Sequence, residues 1–398
     1  MNVFRHLTLS ILLGCTLALC GCIGSAYVFE QTDVSEIRDR AESRVDTNIR
    51  VSAAVLGRQE SQGLFGVDLY AQGIQPVWLE IENTGSTPAR YAPVSTDSYY
   101  FSPLEVAYKN RSGLSDEGRS ELERRLEATA MPRYIDPGET RSGFVFTHAV
   151  KGAKGFNVDV FGSTASHSFT FLLRVPGFVP DYANFDAVGL YPEKALVDYQ
   201  GDKVIAGLQD MPCCSTDKAG KDSGNPINLV VIGSGRDTLK ALLRSGWLET
   251  SSAEAAEAEA HYLFGRSQDA IFRYESVGGE SIYEIRFWLA PLTSDQEEVW
   301  LGEARHFYAW RSAFPRFDPD VDNARDFTIQ KFIYGQALRS LAWLSGTKIV
   351  PAESLWDRLL YTPYFSDGSR PVLWLSAEPY SVSEIEIKDW DKRPGAVE

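Results

Sequence analysis

The sequence predicts a multidomain chain, with an all-β sandwich first and an α+β domain after it. Three observations predict this. Between residues 48 and 175, short alternating runs recur with turn residues between them, which is the grammar of a sandwich. Beyond residue 198, strand-like apolar runs alternate with segments that carry helix start signals. The chain has 398 residues, enough for two or three domains of roughly 100–200 residues each. Hydrophobic residues at 44% and charged residues at 23% exclude a wholly disordered or fibrous chain.

The chain begins with an export signal over residues 1–21. Arg5 precedes the apolar run Leu7–Leu19, and small Gly21 stands just before Cys22, the layout of a secretory signal peptide. The run falls short of the roughly 20 residues that a spanning helix needs. Leu19-Cys20-Gly21-Cys22 resembles a bacterial lipobox, with Cys20 where Ala or Ser is commoner. The resemblance implies cleavage before Cys22, acylation of Cys22, palmitate included, and a lipoprotein held on a membrane, since stable anchoring needs more than one acyl chain. Ile23 follows Cys22 where Asp would imply retention at the inner membrane, so the resemblance implies the outer membrane.

Residues 22–47 are polar and charged and read as a tether, with a short helix over Glu36–Arg44. From 48 to 175, strands are expected at Ile49–Val55, Val77–Glu82, Tyr99–Val106, Gly143–Thr147, Phe156–Phe161 and Phe169–Val175. Turn signals at Asn83-Thr84-Gly85 and Asp136-Pro137-Gly138 separate some of them. This spacing predicts an immunoglobulin-like sandwich. The charged run Asp116–Ala128, with Leu122 and Leu126 one turn apart, predicts an inserted, exposed helix.

Residues 176–197 form a connector rich in Pro, Gly, Tyr and Phe. The α+β domain occupies 198–398. Its expected elements begin with a buried strand at Asn228–Gly233 and a helix at Arg236–Trp247, capped by Ser234. A capping box at Ser251–Glu254 opens a solvated Ala/Glu helix. Strands follow at Ala270–Tyr274, Ile282–Leu289 and Val299–Phe307, and a long buried helix from Asp322 to about Leu344.

In this second half, Met211-Pro212-Cys213-Cys214, Asn225–Gly233, Gly246-Trp247, Tyr262–Asp269, Arg286-Phe287-Trp288, Val299–Gly302 and Asp318–Asp326 stand in series. In that order and at that spacing they resemble the bacterial LssY C-terminal domain family over about residues 198–345. The resemblance implies an α+β architecture in the company of membrane modules, some of them phosphatase-like, and it implies no reaction. Where the family often carries a His shortly before the Asp-Pro-Asp block, this sequence reads Pro315-Arg316-Phe317.

Candidate site residues follow from chemistry. Asp318, Asp320 and Asp322 alternate like the first half of a calcium loop, whose carboxylate oxygens suit a hard cation. Asn323 and Ile329 stand where such a loop needs Gly and Glu, so the block is either a metal site or the N-terminal cap of a helix. Arg266 offers a guanidinium to an anionic ligand or to Asp269, and with His306 and Arg325 it completes the candidate ligand-binding set. His148, His167, His261 and His306 show no metalloprotease spacing, and no Gly-x-Ser-x-Gly elbow is present. Gly233-Ser234-Gly235 lacks the third glycine of a dinucleotide loop, so it reads as a turn and helix cap, and no cofactor is expected. Cys213-Cys214 is open between a vicinal disulfide, a metal pair and free thiols.

Lys+Arg number 39 against 54 Asp+Glu, a net charge of −15. That sign excludes nucleic acid bound by bulk electrostatics. The expected partners are a membrane, through the anchor, and an envelope protein. The leading expectation is a lipid-anchored cell-envelope protein with a non-enzymatic binding or assembly role at the periplasmic membrane face. The alternative is an envelope hydrolase or transferase acting on a lipid-linked or phosphorylated substrate.

Overall fold

The computed structural model describes residues 25–29, 34–163, 165–177, 189–192, 195–221, 223–250, 261–276, 281–308, 316–351 and 364–390. The signal segment, Cys22 and the capping box at Ser251 lie outside the described residues. The protein is mostly β-sheet, in several sheets with few helices. Among the described residues no helix is long and apolar enough to cross a membrane. The chain divides into two compact units, Met1–Ala149 with Val158–Phe169, and Val150–Asn157 with Thr170–Glu398.

The first unit contains helices α1 (Ser35–Asp39), α2 (Arg58–Phe65), α3 (Pro103–Lys109) and α4 (Asp116–Thr129). Its strands β1 (Glu42–Asp46), β2 (Ile49–Val55), β3 (Ile74–Asn83) and β6 (Thr140–His148) form one antiparallel sheet in the order β1-β2-β3-β6. A second sheet runs β5-β4-β7-β8, from β4 (Ala89–Ala92), β5 (Tyr134–Ile135), β7 (Ala153–Phe161) and β8 (Ser166–Arg174), and β7 and β8 each run through both units, which divide at Asn157/Val158 and Phe169/Thr170. Trp78, Phe144 and Phe146 on the first sheet pack in one core with Leu64 and Phe65 of α2, Val106 of α3 and Leu122 and Leu126 of α4.

Two local expectations fail here for identifiable reasons. The stretch expected as a strand at Tyr99–Val106 starts a helix, because Ser102 accepts a hydrogen bond from the Glu105 backbone (3.2 Å) and Pro103 stands at the first helical position. Helix α4 does form, but Leu122 and Leu126 are fully buried, so its one apolar stripe is a core element.

The second unit is built on a ten-stranded sheet. Its main path is β13-β16-β17-β18-β12-β21-β20-β22. In chain order these are β12 (Leu229–Ile232), β13 (Leu248–Glu249), β16 (Ala270–Glu275), β17 (Ser281–Ser294), β18 (Glu297–Tyr308), β20 (Leu338–Ser345), β21 (Ser369–Leu375) and β22 (Glu386–Lys388). Strands β9 (Val197–Tyr199) and β19 (Arg316–Phe317) pair with β17 and β18 off that path. A small sheet joins β10 (Cys214–Thr216), β11 (Ser223–Pro226), β14 (Tyr262–Leu263) and β15 (Arg266–Ser267).

The large sheet carries a core on each face, which strand alternation divides cleanly. Phe287 and Val231 pack with helices α6 (Gly235–Arg244) and α7 (Val321–Tyr334). Their chain neighbours Trp288, Val230 and Ile232 pack with α5 (Val204–Gln209). Ser234 caps α6 through the Asp237 backbone (3.2 Å), as its sequence predicts. The single long helix expected from Asp322 to Leu344 is instead helix α7 and strand β20. The chain breaks at Gly335-Gln336, with Gln336 at φ 52°, and β20 is buried on both faces, so its apolar run shows no alternation to mark it as a strand. Cys213 and Cys214 are joined as a vicinal disulfide.

Candidate active site

The β17–β18 hairpin sets His306 opposite Tyr283 and Tyr308 opposite Ser281. Ser281, Tyr283 and His306 therefore share the sheet face on which α7 packs. The backbone then turns through β19, which pairs with the end of β18, and the Asp318 backbone N–H donates to the His306 carbonyl at 2.9 Å. This brings Asp318 beside the imidazole. Its Oδ2 lies 2.9 Å from His306 Nδ1, and its Oδ1 accepts from the Asp320 backbone at 3.0 Å. On the other side of the ring, His306 Nε2 lies 2.5 Å from Ser281 Oγ.

The imidazole plane is fixed by stacking. Tyr283 lies against it with centroids 4.3 Å apart and planes 12° from parallel, and Phe327 of α7 stacks on the far side of Tyr283 at 3.6 Å. Burial pushes the Tyr283 phenol up, the nearby Asp318 charge adds to this, and a hydrogen bond to Ser281 opposes it. The phenol thus stays neutral beside Ser281. In the tautomer with Nδ1–H donating to Asp318, Nε2 presents its lone pair to the Ser281 hydroxyl. His306 and Asp318 keep 15% and 20% of their side-chain surface open, so the centre is reachable from solvent.

The other sequence candidates go elsewhere. Asp320 is the N-cap of α7, accepting from the Asp322 and Asn323 backbones at 3.2 and 3.3 Å. Asp322 accepts from Ser366 Oγ (3.0 Å) and the Asp367 backbone (2.6 Å) and pairs with Arg325 (3.0 Å). Arg325 is buried, reaches Asp367 and Asp326 at 2.8 Å, and lies over the Trp343 ring. The three carboxylates of the Asp block therefore serve three different partners. Among the described residues no group of three or more His, Cys, Asp or Glu is placed to hold a metal ion. Arg266 grips Asp269 through two nitrogens at 2.9 and 2.8 Å and donates to Tyr191 Oη and the Leu289 carbonyl, both at 2.7 Å. Leu289 is eight residues along β17 from Ser281, roughly 26 Å of strand rise, so Arg266 belongs to a different place.

Ser281 and Tyr283 are the participants that sequence reasoning missed. They carry no local motif. Only the hairpin register, which pairs 283 with 306, could have found them.

Residues 207–348 match the family model of the LssY C-terminus. No curated protein matches the chain. Ser281, His306 and Asp318 all lie inside the LssY-matching region, as do both long strands that position them.

The same LssY-matching hairpin carries a buried charge quartet on its opposite face. Glu284 stands across from Arg305, and Arg286 across from Glu303. Arg305 Nη2 and Arg286 Nε reach Glu284 Oε1 at 2.6 and 2.9 Å, and Arg273 closes on Oε2 at 2.8 Å. Burial alone would raise the Glu284 pKa, but Arg305, Arg286 and Arg273 outweigh it and hold the carboxyl at about 2. Glu303 is held below the carboxylate range in the same way, against burial, by His261 and by Arg305 and Arg286. Ser215 Oγ and Glu303 Oε2 both approach Nδ1 of His261, at 3.2 and 2.8 Å. Serine and carboxylate thus meet the same ring nitrogen of His261, and Ser215 Oγ itself donates to Glu303 Oε2 at 3.0 Å, whereas a Ser–His–carboxylate relay sets the two on opposite nitrogens.

Proposed function

We propose that the protein is a cell-envelope hydrolase or transferase that works on acyl esters, with Ser281 as nucleophile, His306 as general base and acid, and Asp318 as the group that orients and charges the imidazole. One observation carries this reading: an unbroken hydrogen-bonded chain from Ser281 Oγ through both ring nitrogens of His306 to Asp318. Such an arrangement is recognised by geometry and roles, whatever the fold or chain order.

The steps follow from the atoms. Ser281 Oγ bonds to the ester carbonyl carbon while its proton passes to His306 Nε2. The Asp318 carboxylate stabilises the imidazolium through Nδ1–H. The carbon–oxygen bond to the alcohol breaks, and that alcohol takes the proton from Nε2. Water, or a second alcohol in a transfer reaction, then attacks the acyl-serine in the same manner and regenerates Ser281. Tyr283 keeps a neutral phenol beside the reacting oxygen.

On this reading Cys22 carries the lipid that holds the protein on the periplasmic face of the outer membrane, and the natural substrate is a lipid-linked ester of the envelope. The four-stranded sheets β1-β2-β3-β6 and β5-β4-β7-β8 support an immunoglobulin-like sandwich that serves as a partner-binding module. A purely binding or assembly role would leave His306 as a latch between β18 and the start of α7.

Hydrolysis of p-nitrophenyl esters by the purified chain distinguishes the two readings. Ser281→Ala and His306→Ala should each lower kcat by about 10² or more, and the double variant should be no worse than the singles, because the residues act as a unit. Activity in Ser281→Ala equal to that of the wild type overturns the reading.

A further inference from the structure

The first unit contains a concavity of about 450 Å³, within the size range of small-molecule sites. Tyr91, Val94, Tyr100 and Phe161 contribute apolar lining, and Arg90 and Arg133 line it as well. Arg90 and Phe161 face one another across the β4–β7 ladder. Val94 and Phe161 are 58% and 47% exposed, large apolar surface left in water next to two cations.

The two guanidinium groups are each held by a tyrosine, one by a ring face and one by a hydroxyl. Arg90 stands opposite Tyr134 in the β4–β5 pair with its guanidinium 5.3 Å from the ring centroid, and Arg133 donates to the Tyr100 hydroxyl at 2.9 Å. Among the described residues neither has a carboxylate partner, whereas Arg38, Arg40, Arg50, Arg58 and Arg141 of the same unit all do. Asp159, the acid nearest along the ladder, accepts from Ser168 Oγ at 2.7 Å. In a chain of net charge −15, two positioned cations beside an open apolar pocket keep their charge for something else.

We infer that this pocket is a binding site for an anionic amphiphile, a phosphate or carboxylate joined to an apolar or aromatic group. The anion takes the planar forks of Arg90 and Arg133, and the apolar part covers Val94 and Phe161. A soluble aromatic phosphate and the head end of an anionic lipid present the same chemistry. The site is independent of the Ser281 centre and stands whether or not that centre is catalytic.

Calorimetric titration of the purified full chain with phenyl phosphate, with monomeric dihexanoyl phosphatidylglycerol and with inorganic phosphate tests the inference. At least one of the first two should bind ten-fold or more tighter than inorganic phosphate, and which of them binds tighter distinguishes soluble from lipid ligand. Arg90→Gln with Arg133→Gln should weaken that binding at least ten-fold. Val94→Glu, a change at an exposed position that brings a competing carboxylate to the arginines, should weaken it similarly with an unchanged melting temperature. Equal binding by wild type and both variants, or no preference over inorganic phosphate, overturns the proposal.

Discussion

Glu284 and Arg305 stand directly opposite one another across the β17–β18 ladder, 2.6 Å apart and almost wholly buried. A buried carboxylate is expensive unless its charge is matched, and three arginines match this one. Its folded-state pKa is depressed from 4.5 to about 2. The associated stability is therefore fully present above about pH 4.5 and is lost as pH falls toward 2, a contribution of about 3 kcal/mol. Glu284→Gln should remove it, lowering neutral-pH stability by about 3 kcal/mol and flattening the acid limb of the stability curve. Denaturant unfolding at several pH values checks both, and an unchanged acid limb in the variant would contradict the assignment.

Asp320 caps α7 through two backbone N–H groups. Asp320→Ala should cost about 0.5–2 kcal/mol, equally in EDTA and in millimolar calcium. Thermal melts of both proteins in both buffers check this. A calcium-dependent rise confined to the wild type would instead show that the Asp block binds a cation.

Cys22 is the expected point of lipid attachment. Cys22→Ser should leave the signal segment uncleaved and abolish incorporation of labelled palmitate. Immunoblotting of cell fractions together with metabolic labelling gives the answer, and normal processing with labelling retained would rule out the anchor.

The sequence made part of this protein legible. Strands β2, β12 and β16 were readable because apolar runs there end at turn residues, and α6 because Ser234 announces it. The helix at Pro103 escapes a sequence reading because its aromatic and β-branched residues look strand-like while the decisive signal, Ser102-Pro103, is only two residues long. Helix α7 and strand β20 run together in the sequence because β20 is buried on both faces and shows no period of 2, while the buried stripe of α7 includes the polar Arg325 and Thr328, which blurs its apolar pattern. Within the candidate site, His306 and Asp318 were legible as residue types of interest. Ser281 was not, because its role comes from the register of a hairpin joining residues 25 apart in sequence. Arg266 and Arg325 looked like ligand-binding cations from sequence, and the structure places each against carboxylates that absorb its charge.

Covalent labelling of Ser281 tests the central claim most directly. A serine activated by His306 should react with a fluorophosphonate, and peptide mass spectrometry should locate the adduct on Ser281. Labelling should vanish in Ser281→Ala and fall by at least ten-fold in His306→Ala, while an unfolded control stays unlabelled. An intact, folded protein that takes up no label at Ser281, or labels equally well without His306, would contradict the account.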